Sequence, residues 1–495
     1  MSPQVFRSSP FILALLLALL STQPVAAAEL TLQECITRAL DKNFQLQIQS
    51  FETANANESL SASQSSYDPS FTLSASKSAS QADQPSTSLV GTKNDNFNTR
   101  VSVSQKITTG ATVNVSSTLI RNETNNSFAT LNPAYNADVT LSIKQPLLKN
   151  AGSAVNKAAI RRAEIGVTIA EQNYKSNVLQ LVRDTEVAYF SLVFAREQLK
   201  VRSLSLELAE KLYEENRTKK DTGVATDLDV LQSEVGVATA RRAVLLAQQQ
   251  VRNSQDNLLN IIGQFEFDAT LGEVSLPATV KLQPDFQRSY ALARANYPDY
   301  NAAESTLEQL EISAAAARRN RLPSLDLGGA VGYNTRDSHA SDAFNRLPDG
   351  DGYAWQVDLS LNIPWGMRSE KAQYQTALNN LQRQKMRLRQ IDQNLTVQVR
   401  SAVLSVETNL ESVTISAQAT SLSEKQYELE KARFDAGLST SRRVLEAQDD
   451  LETARVAELQ SRVNLRSAIA ELHRLEGTSL ALYNIAIDAN TAAVN

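Results

Sequence analysis

Residues Tyr213–Gly263 read YEENRTKKDTGVATDLDVLQSEVGVATARRAVLLAQQQVRNSQDNLLNIIG, and residues Tyr427–Gly477 read YELEKARFDAGLSTSRRVLEAQDDLETARVAELQSRVNLRSAIAELHRLEG. The two stretches align without a gap, and each places a glycine between two segments of helical period. A match kept in register over such a length indicates a repeated structural unit. The sequence therefore predicts two halves of one design, each with a helix, a short glycine turn and a return helix.

The return helix of each copy carries a regular apolar seam. Its positions follow one another at spacings of three and four residues, and larger side chains alternate with alanine or serine. In the first copy they are Val230, Ser233, Val237, Ala240, Val244, Ala247, Val251, Ser254, Leu258 and Ile261. Heptad spacing of this kind is typical of long helices that supercoil against neighbours. The seam is compatible with two arrangements. The two helices of a hairpin could pack only on each other, as a hairpin sealed on itself, or many helices could pack side by side as a wall.

The composition favours an elongated helical protein. The chain has 495 residues, of which 6% are aromatic, with only 16 glycines and 13 prolines. Its net charge of -5 gives no sign of a nucleic-acid partner. Cys35 is the only cysteine, which excludes a disulfide framework. The sequence has no phosphate-binding G-x-x-x-x-G-K motif and no G-x-S-x-G nucleophile motif, so we expect no enzyme activity, cofactor or metal.

The N-terminus has the pattern of a secretory signal peptide over residues 1–28. Arg7 precedes the apolar run Phe11–Leu20, and the small residues Ala26–Ala28 follow as a cleavage site. After its removal the sequence offers no apolar run long enough to cross a bilayer as a helix. We therefore expect an exported protein that is either soluble or a membrane β-barrel.

Helices and strands alternate along each half. A capping-box pattern at Thr31 predicts a helix that runs to about Ser63 and is stopped by Pro69. Apolar and polar residues then alternate as in strands, within a region rich in serine, threonine and asparagine that ends near Asn150. A long helix is predicted from Ala151 to Thr222, before the glycine turn and the return helix.

The clearest strand lies in the second half. Its apolar residues occupy one face, and Ala, Gln, Asp, Ser and Asn occupy the other. We predict that the apolar side chains face lipid, and these are Tyr353, Trp355, Val357, Leu359 and Leu361. The aromatic pair at one end suits the girdle at a bilayer surface. The alternative, a strand packed on a soluble core, needs more apolar sheet than the chain offers.

An open sheet cannot lie in lipid, because the unpaired backbone groups at its edges would have no partners. The predicted strands are fewer than the roughly eight of the smallest membrane barrel. Several chains must therefore share one barrel.

The order of these features resembles that of the TolC-like outer-membrane efflux proteins. The resemblance is carried by the helix-to-strand segments Asp68–Ser70 and Leu322–Ser324, by Gln145–Leu148, and by the turns Gly223–Thr226 and Gly437–Thr440. It implies a mainly α fold with a small β-barrel in the outer membrane, shared by a homotrimer to which each chain gives four strands. The long helices would form an α-barrel through the periplasm.

The resemblance divides the chain into four segments. These are the signal peptide (1–28), the first repeat (29–277), the second repeat (278–480) and the C-terminal tail (481–495). It implies a passive duct that carries small molecules such as drugs to the exterior. A periplasmic adaptor (membrane fusion) protein and an inner-membrane pump of the RND or ABC type would deliver these small molecules to the duct. A type I protein secretion channel is the alternative within this class. A periplasmic coiled-coil protein or a trimeric adhesin is the alternative outside it.

The resemblance also implies two sets of site residues. The glycine turns would form the periplasmic tips that dock the adaptor, and their residues are Gly223, Val224, Ala225, Thr226, Gly437, Leu438, Ser439 and Thr440. Acidic residues gate the tips in this family, and the corresponding candidates are Asp229, Gln232, Arg443 and Glu446. An arginine in that ring would change the ion preference of the gate.

One region departs from the pattern of the family. Residues Val101–Leu119 look like a hairpin beyond the two strands expected in the first half. The sequence leaves open whether this hairpin is an extracellular elaboration or enlarges the barrel.

Overall fold

The computed structural model describes residues 30–83, 91–263, 271–276, 283–349 and 352–487. The predicted signal peptide, the boundary at 277 and 278, and the last residues of the tail lie outside these ranges. Within them, two similar halves follow one another, and both consist of helices, strands and a long helical hairpin.

The elements of the first half are, in chain order, α1 (Leu32–Lys42), α2 (Phe44–Gln64), a 3-10 turn (Ser65–Tyr67), β1 (Ser70–Gln81), β2 (Lys93–Lys106), β3 (Thr112–Thr124), β4 (Ala134–Pro146), α3 (Ser153–Asn156), α4 (Ala158–Asp221) and α5 (Asp227–Ile261). The elements of the second half are α6 (Phe286–Asn296), α7 (Pro298–Asn320), β5 (Ser324–Asp337), α8 (Ala340–Asn345), a 3-10 turn (Leu347–Asp349), β6 (Tyr353–Asn362), α9 (Arg368–Asp435), α10 (Ser441–Glu476) and α11 (Ser479–Leu482).

The predicted first helix is two helices, because Asn43 interrupts it. Thr31 and Glu34 form the predicted capping box at the start of α1. Asn43 then takes an extended conformation, and its side-chain carbonyl accepts a hydrogen bond from the Leu46 amide at 3.2 Å, which caps α2. Its side-chain amide donates to the carbonyl of Ile261 at 2.9 Å. The break therefore fixes the end of α5 against the start of α2.

The seam of the return helices is confirmed as the buried face of the hairpins. The seam residues Ser233, Ala247, Ser254 and Leu258 are buried in α5, and the remaining seam positions are partly buried. One apolar cluster joins α5 to α4 and also includes Val463 of α10. The hairpins are therefore not sealed on themselves, since the second one packs on the first and forms the wall of helices.

A second set of contacts fastens the chain beyond α11 to this wall. The Tyr483 hydroxyl donates a hydrogen bond to Oε1 of Glu186 at 2.5 Å. Glu186 lies on α4 and is only 4% exposed. Burial raises its pKa to about 7, although the Tyr483 hydrogen bond and the charges of Arg183 and Arg466 act in the opposite direction. This carboxyl group therefore titrates near neutral pH.

The strands form one antiparallel sheet in the order β1-β2-β3-β4-β5-β6. The expectation of four strands per chain is wrong, because the described residues contribute six to this sheet. The additional pair is β2 and β3, which contain the unassigned hairpin of the sequence. The open edges of the sheet are β1 and β6. None of the helices in the described parts of the chain is both long and apolar enough to cross a membrane.

Candidate functional site: a two-faced sheet and two helical tips

The sheet has one apolar face, which is open to its surroundings except at the outer end of β3 and β4, where Ala343 and Leu347 pack on Ala137. The strand register places the odd-numbered residues of all six strands on this face. For example, Leu73 of β1 lies opposite Val101 of β2, and Val331 of β5 lies opposite Trp355 of β6. The large side chains of this face are exposed, and they include Phe71, Leu73, Val103, Val115, Leu141, Ile143, Val331, Tyr353, Trp355, Val357, Leu359 and Leu361. Trp355 is 71% exposed and Leu359 is 65% exposed, so no second layer covers them. An apolar patch of this extent is unsuited to water.

The other face of the same sheet is polar. The even-numbered residues lie here, and most of them are serine, threonine, asparagine or charged residues. Lys144 forms an ion pair with Asp326 at 3.2 Å on this face. Arg100 donates a hydrogen bond to Thr118 Oγ1 at 3.3 Å. A sheet with one apolar and one hydrated face has the pattern of a membrane barrel wall.

Polar and aromatic residues border the apolar face at its two ends. At the end away from the helices, Lys77 pairs with Asp95 at 3.7 Å, and Arg121 pairs with Glu123 at 2.6 Å. At the helical end, Trp365 follows β6 and is fully exposed. Trp365 is not among the predicted lipid-facing residues, although an aromatic residue just beyond an alternating strand is a signal of a membrane interface.

The two glycine turns lie at the opposite end of the long hairpins, and they share one geometry. Gly223 and Gly437 have φ angles of 77° and 74°. After each glycine the next amide donates to a carbonyl in the last turn of the preceding helix, Val224 to Lys219 and Leu438 to Arg433, both at 2.8 Å. This is the Schellman arrangement that ends a helix. It leaves the Val224 and Leu438 side chains 77% and 72% exposed.

The two return helices begin differently. Thr226 and Asp229 form a capping box, in which the Asp229 amide donates to Thr226 Oγ1 at 3.2 Å and the Thr226 amide donates to Asp229 Oδ2 at 3.0 Å. The equivalent pair in the second repeat is Thr440 and Arg443, and Thr440 makes no side-chain cap. An arginine cannot accept the reciprocal hydrogen bond, so α10 lacks the box that starts α5.

Asp229 also connects the two repeats. The Ser441 hydroxyl, at the start of α10, donates a hydrogen bond to Asp229 Oδ1 at 3.2 Å. Hydrogen bonds from Thr226 lower the pKa of Asp229, and the bond from Ser441 acts in the same direction. The carboxylate is therefore held in its charged form between the helix starts.

The other gate candidates do not join this contact. Gln232 is partly buried on α5. Arg443 is exposed and makes no ion pair with any residue that the structure describes. Glu446 pairs with Arg442 of its own helix at 2.8 Å. Of the four candidates, Asp229 is thus the one that bridges the repeats within a chain.

Sequence reasoning missed a second bridge close to the tips. Lys431 of α9 pairs with Glu215 of α4 at 2.5 Å. The ammonium group of Lys219 lies 3.7 Å from the centre of the Phe434 ring, and Phe434 packs in an apolar cluster with Leu212. These contacts cross between the repeats, so the spacing within one repeat carried no signal of them.

One group of side chains in the described residues could approach a cation. Asp337, His339 and Asp342 lie close together at the end of the sheet away from the helices. The guanidinium of Arg346 already donates to Asp337 at 3.1 Å and balances its charge. We assign no metal to this group.

A family model described as "Outer membrane efflux protein" matches residues 111–264 and 289–478. Among curated proteins, "Toxin and drug export protein A" of Aggregatibacter actinomycetemcomitans is 22% identical over 309 residues, which are 60% of this chain and 64% of that protein. "Toluene efflux pump outer membrane protein TtgF" of Pseudomonas putida is 24% identical over 315 residues, 62% of this chain and 63% of that protein. Thus the match spans less than two thirds of either relative.

The fold is similar to that of solved outer-membrane channels. The CmeC outer membrane channel of Campylobacter jejuni superposes with a TM-score of 0.68 at 18% identity. The superposition covers 92% of this chain and 87% of that one.

Proposed function

This chain belongs to the outer membrane efflux protein family, and we propose that it is the outer-membrane duct of a tripartite export system. Membership confirms the predicted resemblance, the mainly helical fold with two repeats, and the outer-membrane location. The duct itself would be passive and would carry small molecules such as drugs or toxic compounds. A homotrimer would enclose it.

One observation supports this proposal above the others: a two-faced sheet and a long helical wall are continuous in one chain. The apolar face of the sheet is suited to contact with lipid, and the polar face is suited to line a water-filled lumen. The 64 residues of α4 extend about 96 Å at 1.5 Å per residue. One chain thus connects a sheet suited to the membrane with glycine turns at the far end of the long helices.

The tips are the proposed docking sites for a periplasmic adaptor. Val224 and Leu438 are exposed apolar side chains at the two turns. A partner could bury both of them without unfolding either turn, because the backbone bonds that close the turns are internal. Removal of apolar side chains from water is the dominant favourable term in most protein association. An inner-membrane pump of the RND or ABC type would supply the energy.

We propose that the helix starts close the duct when no adaptor is bound. The Asp229 carboxylate, held by Ser441 and by its own cap, would keep α5 and α10 together. Gln232, Arg443 and Glu446 would set the charge around that contact. Movement of the tips would require the Ser441 bond to break, whereas the cap of α5 could remain intact.

A type I protein secretion channel is the second candidate within this class. The observation that favours it is the width of the sheet, since six strands per chain exceed the four that the family resemblance implied. A periplasmic coiled-coil protein or adhesin is disfavoured, because an exposed apolar sheet in water would promote aggregation.

The test is fractionation of cells that express the full chain, with crosslinking of intact cells. A trimer in the outer-membrane fraction, crosslinked to an adaptor through a photoreactive residue at Leu438, is expected. The matched control carries the photoreactive residue at Leu482, which is exposed at 55% but remote from the turns. A monomer in the soluble periplasmic fraction would overturn the proposal. Susceptibility of a deletion strain to a drug panel, with and without the chain, separates efflux from protein secretion.

A further inference from the structure

The β2–β3 hairpin is the part of the sheet that the family resemblance does not account for. We propose that β2 and β3 are wall strands of the membrane barrel, so that three copies of six strands close an eighteen-stranded barrel. This inference rests on the proposed function, from which it takes the trimer. It assigns a second copy of this chain to each open edge of the sheet.

The position of the hairpin turn is the first argument. β2 and β3 are joined through residues 107–111, next to the pair Lys106 and Thr112. This turn lies at the helical end of the sheet, because the carbonyl of Thr109 accepts a hydrogen bond from the Gly152 amide at 2.9 Å, just before α3. An elaboration outside the membrane would turn back at the other end. The hairpin instead extends over the full height of the sheet.

The pairing of the strands is the second argument. β1 pairs with β2 along its whole length, from Ser70 opposite Ser104 to Gln81 opposite Lys93. β3 pairs with β4 in the same way, as far as Asn122 opposite Ala134. The hairpin therefore separates β1 from β4 over every residue that would otherwise face lipid and lumen. Its removal would leave a gap in the wall.

The chemistry of its two faces is the third argument. On the apolar face, Val103 of β2 lies opposite Val115 of β3, and Val101 and Val113 lie on the same face. On the polar face, the same strands present serine and asparagine, with Ser102 opposite Ser116 and Ser104 opposite Asn114. The alternation matches that of the other strands, in which the odd-numbered residues also lie on the apolar face. A loop in water would need no continuous apolar band.

The open edges identify the occupant. Within the described residues, the outer edges of β1 and β6 have no strand partner. Unpaired backbone groups are not tolerated in lipid, so each edge must meet another strand. In a closed ring of identical chains, β6 of one copy pairs with β1 of the next. Barrel diameter grows with strand number, and barrels of about 16–18 strands enclose an aqueous channel. The exit would admit bulkier cargo than twelve strands allow.

The test places single cysteines on the full-length protein in lipid vesicles, each carrying a nitroxide spin label. The outward positions are V103C and V115C on the hairpin, with L359C as an outward reference on β6. The matched inward positions are S102C and N114C. The native Cys35 is fully buried, and burial raises the pKa of its thiol to about 12, so the unsubstituted chain measures background labelling. Oxygen and a water-soluble nickel chelate serve as relaxation agents for lipid and for water.

We expect oxygen to relax the labels at 103, 115 and 359 more strongly than the nickel chelate does, and the reverse at 102 and 114. A lipid signal at 359 with water signals at 103 and 115 would overturn the inference while the proposed function stands. A water signal at 359 as well would overturn both. Electron cryomicroscopy of the purified trimer gives a second readout, since eighteen strands are expected in the rim and twelve would contradict the inference.

Discussion

The Ser441 hydroxyl donates a hydrogen bond to the Asp229 carboxylate at 3.2 Å, and this bond joins the first turns of the two return helices. Asp229 also accepts two hydrogen bonds from Thr226 within its capping box. A single carboxylate therefore both starts α5 and holds α10 beside it. This double role allows the two functions to be separated by mutation.

We predict that S441A increases the conductance of the closed channel in a planar lipid bilayer. The substitution removes the bond between the repeats but leaves the capping box of α5 in place. D229A should increase conductance at least as much, and should also weaken the start of α5 by about 1 kcal/mol, because the Thr226 amide loses its acceptor in the capping box. The matched control is T239A, which removes an exposed hydroxyl that donates within α5 to the Val235 carbonyl at 2.9 Å and lies outside the gate set. Wild-type conductance in S441A would show that this bond does not hold the tips.

We predict that replacement of Gly437 by alanine weakens adaptor capture without loss of the trimer. The φ of 74° costs an alanine roughly 1–2 kcal/mol, although its Cβ would meet only open space. The turn would relax and move Leu438. Gly152, with a φ of 87° and open space around it, provides a more severe control at the other end of the long helices. G152A should bear a larger backbone cost, because the φ of 87° and ψ of 155° lie in a region essentially restricted to glycine, yet crosslink the adaptor as the wild type does. Equal capture by both variants would contradict the docking role.

We predict that L359R reduces assembly into the outer membrane, because an arginine on the lipid face near the midplane costs about 2–4 kcal/mol. The control is S360R on the neighbouring residue. Its side chain would lie on the polar face opposite Asp326, where a charged side chain already lies and another can stay hydrated. The measurement is the fraction of trimer in the outer membrane by native gel. If both variants assemble equally well, Leu359 does not face lipid.

The pKa of Glu186 predicts how stability depends on pH. Burial raises it from 4.5 to about 7, so the folded chain holds a proton that the unfolded chain releases. The contribution of protonated Glu186 to the free energy of unfolding is therefore full below about pH 4.5 and is lost as the pH rises through about 7. The shift corresponds to about 3 kcal/mol at most. The apparent melting temperature in detergent should fall over this range in the wild type, and E186Q should flatten the fall. E197Q, at a more exposed carboxylate paired with Lys200, should leave the profile unchanged.

The sequence was sufficient to predict those parts of the fold that depend on local periodicity. The seam from Val230 to Ile261 predicts the buried face of α5, because spacing along one helix fixes which side chains share a side. Gly223 and Gly437 mark the turns for a similar reason, since their positive φ is a local requirement. The alternation of Tyr353 to Leu361 likewise predicts a two-faced strand.

Features that depend on distant partners could not be predicted in this way. The break at Asn43 is fixed partly by the carbonyl of Ile261, which lies far along the chain. Lys431 and Glu215 belong to different repeats, so neither residue is distinctive in its own segment. The strand number of four was wrong because it was taken from the family resemblance, although the alternating valines of β2 and β3 already indicated an extra hairpin. Their role becomes visible only when the register places them beside Leu73 and Leu141.

In all six strands the odd-numbered residues lie on the same face of the sheet, and this has a consequence for how such a wall could evolve. A hairpin brings the chain back to the end from which it left, so its insertion changes neither the direction of β1 nor that of β4. The edges that meet another copy, β1 and β6, keep their sequence and orientation. A single inserted strand would instead reverse everything that follows it. The calibre of the pore can thus grow in steps of two strands per subunit while the contacts between subunits are inherited unchanged.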